Sequence, residues 1–102
     1  MLELREVIWQ KMRFDWDNHK SQLLKQNRGY SLEEVATILA GDYVERIKRD
    51  DPEQFIAIGY LQNTILSVIY EVRYDDEGEY IWLITYWKST RREREIYEQY
   101  FY

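Results

Sequence analysis

The stretch from Glu79 to Tyr97 constrains this chain most. Its first half, Glu-Tyr-Ile-Trp-Leu-Ile-Thr-Tyr-Trp, is nearly all β-branched or aromatic, which suits a strand packed on both faces. The character changes at Lys88. Thr90 followed by Glu93 is a capping box, in which the Thr hydroxyl accepts from the Glu93 amide and the Glu93 carboxylate accepts from the Thr90 amide. A buried strand should therefore end near Lys88 and feed a helix from about Thr90. Lys88, Arg91, Arg92 and Arg94 crowd this junction against Glu93 and Glu95, the densest positive charge in the chain beside its most aromatic strand.

Two further strand-like runs precede it, Gln54–Tyr60 and Thr64–Tyr74. Their connections, Leu61-Gln62-Asn63 and Asp75-Asp76-Glu77-Gly78, are so short that neighbours must be antiparallel, which predicts a meander. Strict alternation along the last strand gives two faces, Ile81, Leu83, Thr85 and Trp87 against Tyr80, Trp82, Ile84 and Tyr86. Both are apolar, so the sheet needs two covers. Upstream, Ser31 with Glu34 makes a second capping box, and Leu32, Val35, Ala36 and Leu39 recur with helical spacing. Asp17 fits an N-cap and Gly29 a left-handed C-cap, bracketing a helix over 18–27 with only Leu23 and Leu24 as its apolar stripe. Phe14-Asp15-Trp16-Asp17 reads as a short strand with both aromatics inward. Tyr43–Lys48 is a weak strand, Asp50-Asp51-Pro52 a turn, and Val7–Met12 either a helix or an edge strand. The expected fold is α+β: an antiparallel sheet of three or four strands, two N-terminal helices and a C-terminal one. Those two helices cover one face; the C-terminal helix, the N-terminal arm or another protein covers the other.

At 102 residues the chain is expected to be one domain, 1–102, with residues 1–13 as a possible extension. Ten Tyr and four Trp are more than a small core easily encloses, and both are favoured at interfaces. A net charge of −5 argues against a general nucleic-acid coat but leaves a local basic site open. There is no Cys, so no thiolate metal site. His19 stands alone, which excludes a His-pair mechanism, and the acidic Asp75–Glu79 turn lacks calcium-loop spacing. No cofactor and no metal are expected. No apolar run approaches the ~18 residues of a membrane span, which gives a cytoplasmic expectation.

The order strand, two helices, meander, helix resembles the BrnT family of type II toxins. The residues that carry the resemblance run from Phe14 to Tyr97: Phe14-Asp15-Trp16-Asp17 with Lys20, Gly29 with Ser31-Leu32-Glu33-Glu34-Val35-Ala36, Ile58-Gly59, and Thr90-Arg91-Arg92-Glu93-Arg94 with Tyr97. The resemblance implies a RelE-like ribonuclease toxin, metal-independent, inhibiting translation and neutralised by a ribbon-helix-helix antitoxin. This chain departs from that pattern in places. Trp87 stands where the family writes Arg in Ile-Ser-Ala-Arg, Tyr80 and Trp82 replace strand arginines, Gln54 replaces the Arg before Ile-Gly, and Asn27-Arg28 replaces Lys-His.

Metal-free RNA cleavage needs a base for the 2′-hydroxyl, an acid for the leaving oxygen and cations on the phosphate. The candidates are Arg73, Arg91, Arg92 and Lys88 for charge, Glu93 or Glu71 as base, and Tyr70 to orient or donate. Tyr80, Trp82, Tyr86 and Trp87 either fill the core or form a platform for an antitoxin segment or a second copy. Two functions follow from these residues: an endoribonuclease acting on RNA, or a catalytically lapsed BrnT-like module that holds a partner.

Overall fold

The computed structural model describes residues 12–50 and 53–102. The chain is α+β, ordered β1 (Arg13–Trp16), α1 (Asn18–Arg28), α2 (Leu32–Ala36), a 3₁₀ helix (Thr37–Ala40), β2 (Tyr43–Asp50), β3 (Glu53–Leu61), β4 (Thr64–Asp75), β5 (Gly78–Lys88) and α3 (Arg91–Phe101). The five strands form one sheet in the order β1-β5-β4-β3-β2. β2 to β5 are antiparallel, with Phe55 opposite Tyr70 and Glu71 opposite Trp82. The sheet is larger than expected because β1 adds to it in parallel, Arg13 opposite Tyr80 and Trp16 opposite Leu83. The expected segment 7–12 lies, except for Met12, outside the described residues, as do residues 51–52 of the expected turn.

Local signals set the helices. The Asp17 carboxylate accepts from the Lys20 amide, and Gly29 closes α1 at φ 97°, a conformation that costs a side chain free energy and glycine very little. Both capping boxes form, Ser31 with Glu34 and Thr90 with Glu93. The periodic segment after Ser31 tightens into a 3₁₀ turn from Thr37. On α1 the stripe is thinner than two leucines: Leu24 is buried while Leu23 is exposed. The buried Ser21 hydroxyl instead accepts from the Leu32 amide at 2.8 Å, tying α1 to the first turn of α2.

Two cores flank the sheet. On one side Leu24, Leu32, Val35, Ile38 and Leu39 pack on Ala57, Leu66, Val68, Ile81, Leu83 and Tyr86, with Phe14 and Trp16 at the margin. On the other, Ile96, Tyr97 and Phe101 of α3 meet Val44, Ile56, Ile58 and Ile65. Strict alternation fails in β5. Ile69 pairs with Thr85 but Tyr70 with Leu83, so Ile84 is an extra residue and the strand changes face around it. Tyr86 consequently joins Ile81 and Leu83 on the helix side. Its hydroxyl donates to the Tyr30 carbonyl at 2.7 Å and accepts from the Tyr30 amide at 3.0 Å.

Candidate functional site

The face that α3 shares continues along β4 as Ser67, Ile69, Glu71 and Arg73. α3 packs on β2 and β3, where Val44 and Ile58 stand in register. Farther along, the same face turns polar and aromatic. Arg49 of β2 is opposite Gln54 of β3, Glu71 of β4 is opposite Trp82 of β5, and Arg73 is opposite Tyr80. Antiparallel register alone brings these side chains from four strands onto one patch.

Glu71 is its centre. Its carboxylate accepts from Gln54 Nε2 at 2.7 Å and from Arg73 Nε at 2.9 Å. Its side chain is 13% exposed. The Gln54 bond, with the Arg73 bond and the Arg49 charge behind it, outweighs burial and holds this carboxyl below its ordinary range. Arg73 also lies over the Trp82 ring at 4.6 Å, a cation–π stack. Next to this patch Arg13 covers the Tyr80 ring at 5.3 Å and grips Asp75 through two hydrogen bonds of 2.9 and 2.7 Å. Arg13 and Arg49 are residues that sequence reasoning missed. Their signal was positional, because only the pairing of β1 with β5 and of β2 with β3 brings them here.

The remaining candidates lie elsewhere. Tyr70 is buried on the opposite face from Arg73, stacked on Phe55 at 5.3 Å, and its hydroxyl donates to the Glu45 carboxylate. Lys88 is opposite Leu66 while Arg73 is opposite Tyr80. Seven residues of β4 separate the two positions, roughly 23 Å at about 3.3 Å per residue. Arg91 and Arg92 are exposed on the first turn of α3, at 3.3 and 4.0 Å from Glu95. Glu93 accepts from the Thr90 amide at 2.7 Å and from Trp87 Nε1 at 3.0 Å. Burial raises its pKa, but these bonds and those from Ser67 and the Thr90 hydroxyl prevail and leave it lowered. Of the four aromatics, Tyr80, Trp82 and Trp87 are half-buried on the α3 side, whereas Tyr86 is core.

Chemically, the patch holds charge better than it moves protons. A base suited to neutral pH needs a pKa near neutrality, and Glu71 is shifted the other way. Among the described residues no three acidic or imidazole groups converge as metal ligands, and no helix is long and apolar enough to cross a membrane. No protein-family model matches this chain, and no curated protein matches it.

Proposed function

We propose that this chain is a BrnT-like member of a type II toxin–antitoxin pair that works by holding a partner chain, its ribonuclease chemistry having lapsed. The element order supports the BrnT part of the reading, since it is the order that the resemblance rests on. One observation carries the rest: the cations and acid/base groups that cleavage needs are dispersed. Arg73 is spent on Glu71 and Trp82, Lys88, Arg91 and Arg92 belong to the far end of the hairpin, Tyr70 faces away, and Glu93 caps a helix. The positions where the resemblance implies arginine, Gln54, Tyr80, Trp82 and Trp87, fall on the patch side of the sheet. Removing those arginines lowers phosphate affinity and leaves aromatic anchors, which suit a protein partner of ribbon-helix-helix antitoxin type.

The test expresses the chain alone in a bacterial host and incubates the purified protein with messenger RNA. The expected outcome is no growth arrest and no cleavage; co-expressed with the small protein encoded next to it, the chain should co-purify with that protein. Cleavage by the unmutated chain that Arg73→Ala abolishes would overturn the lapse.

The ribonuclease reading keeps one observation in its favour, a carboxylate set between Arg49 and Arg73 on an open sheet face. On that reading Glu71 is the base and Arg73 the phosphate ligand. Arg73→Ala would then lower the cleavage rate by about 10²–10³-fold, while Glu77→Ala would leave it unchanged.

A further inference from the structure

The β4–β5 hairpin carries opposite charge at its two ends. Leu66 pairs with Lys88 at one end and Asp75 with Gly78 at the other, roughly 30 Å apart at about 3.3 Å per residue. At the turn end Asp76, Glu77 and Glu79 are exposed, and Tyr74 beside them is 74% exposed. Arg13 binds Asp75 at 2.7 Å and reaches Glu77 at 3.5 Å. Among the described residues, Asp76 and Glu79 have no cation of their own.

The other end is a basic notch. Two cavities of about 340 and 380 Å³ share Thr64 and Lys88 at the strand end, the first on the α1–α2 face with Arg28 and Tyr30, the second on the α3 face with Arg94 and Glu98. Arg28 and Arg94 donate to main-chain carbonyls, those of Tyr86 and Ser89, rather than to carboxylates. These bonds fix the two guanidinium groups without neutralising them. Lys88 stands between them with no carboxylate within ion-pair distance among the described residues. Arg28 and Lys88 beside the Tyr30 ring on one face of the strand end, with Arg94 on the other face, suit a ligand with carboxylates around an aromatic ring, and Tyr74 within its acidic turn is such a group.

We infer that the acidic β4–β5 tip of one copy docks into the Arg28–Lys88–Arg94 notch of another. The contact is head-to-tail, so every copy keeps a free tip and a free notch, and association grows as open chains or closes as a ring. The net charge of −5 opposes approach. Distant charges are screened beyond about 8 Å at physiological salt, whereas pairs in contact are screened less. Exposed pairs are individually weak, so the association is transient and falls as salt rises.

Sedimentation velocity on the full chain, at concentrations up to about 1 mM and in about 0.1 M and 1 M salt, tests this. Two surface double variants accompany it: Lys88→Gln with Arg94→Gln in the notch, and Asp76→Asn with Glu79→Gln at the tip. Circular dichroism checks that each folds. The wild type should associate at low salt and dissociate at high salt, and each variant alone should associate about tenfold less or weaker. An equal mixture should form a dimer and stop there, because only one competent tip and one competent notch remain. The inference is overturned by a wild type that is monomeric throughout, by association that either variant leaves unchanged, or by a mixture no different from its components. A monomeric wild type that binds a polyglutamate peptide through Lys88 would assign the notch to a different acidic chain and overturn it equally.

Discussion

At the scale of single residues, two carboxylates pull stability in opposite directions with pH. Glu71 has a lowered pKa, first through the Gln54 bond and then through Arg73. Its contribution is present above the unfolded carboxyl pKa and disappears as pH falls through the folded value. Glu45 has a raised pKa, from burial and then from Glu53. Its contribution is full below the unfolded pKa and disappears as pH rises through the folded value. Glu71→Gln should therefore cost about 1–3 kcal/mol at neutral pH, and progressively less as pH falls below the ordinary carboxyl range. Glu45→Gln, which still accepts from Tyr70, should be neutral or stabilising at pH 7; urea midpoints followed from pH 7 downward measure both. Gly59 has a steric role. A Cβ there would lie 2.8 Å from Ile38 Cγ2 and 3.1 Å from the Asp42 carbonyl, so a bare backbone lets the 3₁₀ turn rest on β3. Gly59→Ala should cost about 1–3 kcal/mol. Ile38→Leu, which lacks that methyl, should recover part of the loss in thermal melts of the double variant.

At the scale of elements, α3 is held by a hub at its first turn. Glu93 serves the Thr90 amide and the Trp87 indole together, and the Ser67 and Ser89 hydroxyls meet beneath at 2.7 Å. Thr90→Ala should cost about 1 kcal/mol. Glu93→Ala should cost more, about 1–3 kcal/mol, because the half-buried indole also loses its acceptor. Tryptophan fluorescence and urea midpoints separate the two. The capping part of this hub was legible in the sequence because a capping box is complete within four residues, as was the one at Ser31; the Trp87 and Ser67–Ser89 bonds, which join two strands to the helix, were not. Gly29 was legible for the same reason. The Ile84 bulge was not: an inserted residue in a strand leaves no mark in composition when it is itself β-branched. Alternation counted from Tyr80 therefore put Tyr86 on the wrong face. The patch was half legible. Arg73 and Trp82 stood out by type, but their meeting with Gln54 and Arg49 depends on register across four strands, which no local pattern encodes.

At the scale of the whole molecule, the helices divide their work unequally. α1 and α2 seal one face, while α3 packs on β2 and β3 and leaves Arg73 exposed and Trp82 half-buried. A partner on this patch should change Trp82 fluorescence on binding. Trp82→Ala should weaken that binding by about 30-fold or more with little change in thermal midpoint, as titration calorimetry and melts can check. The parallel seating of β1 on β5 has a consequence for how the molecule is made. Among the described residues β1 pairs with β5 alone, more than sixty residues later, which takes roughly 3–13 s to synthesise at about 5–20 residues per second. Throughout that interval Phe14 and Trp16 have no sheet to join, so the nascent chain presents them to chaperones and proteases. A ribosome-stalled chain truncated before Gly78 should accordingly be cut by chymotrypsin at Phe14 and Trp16, and the released full-length protein should resist.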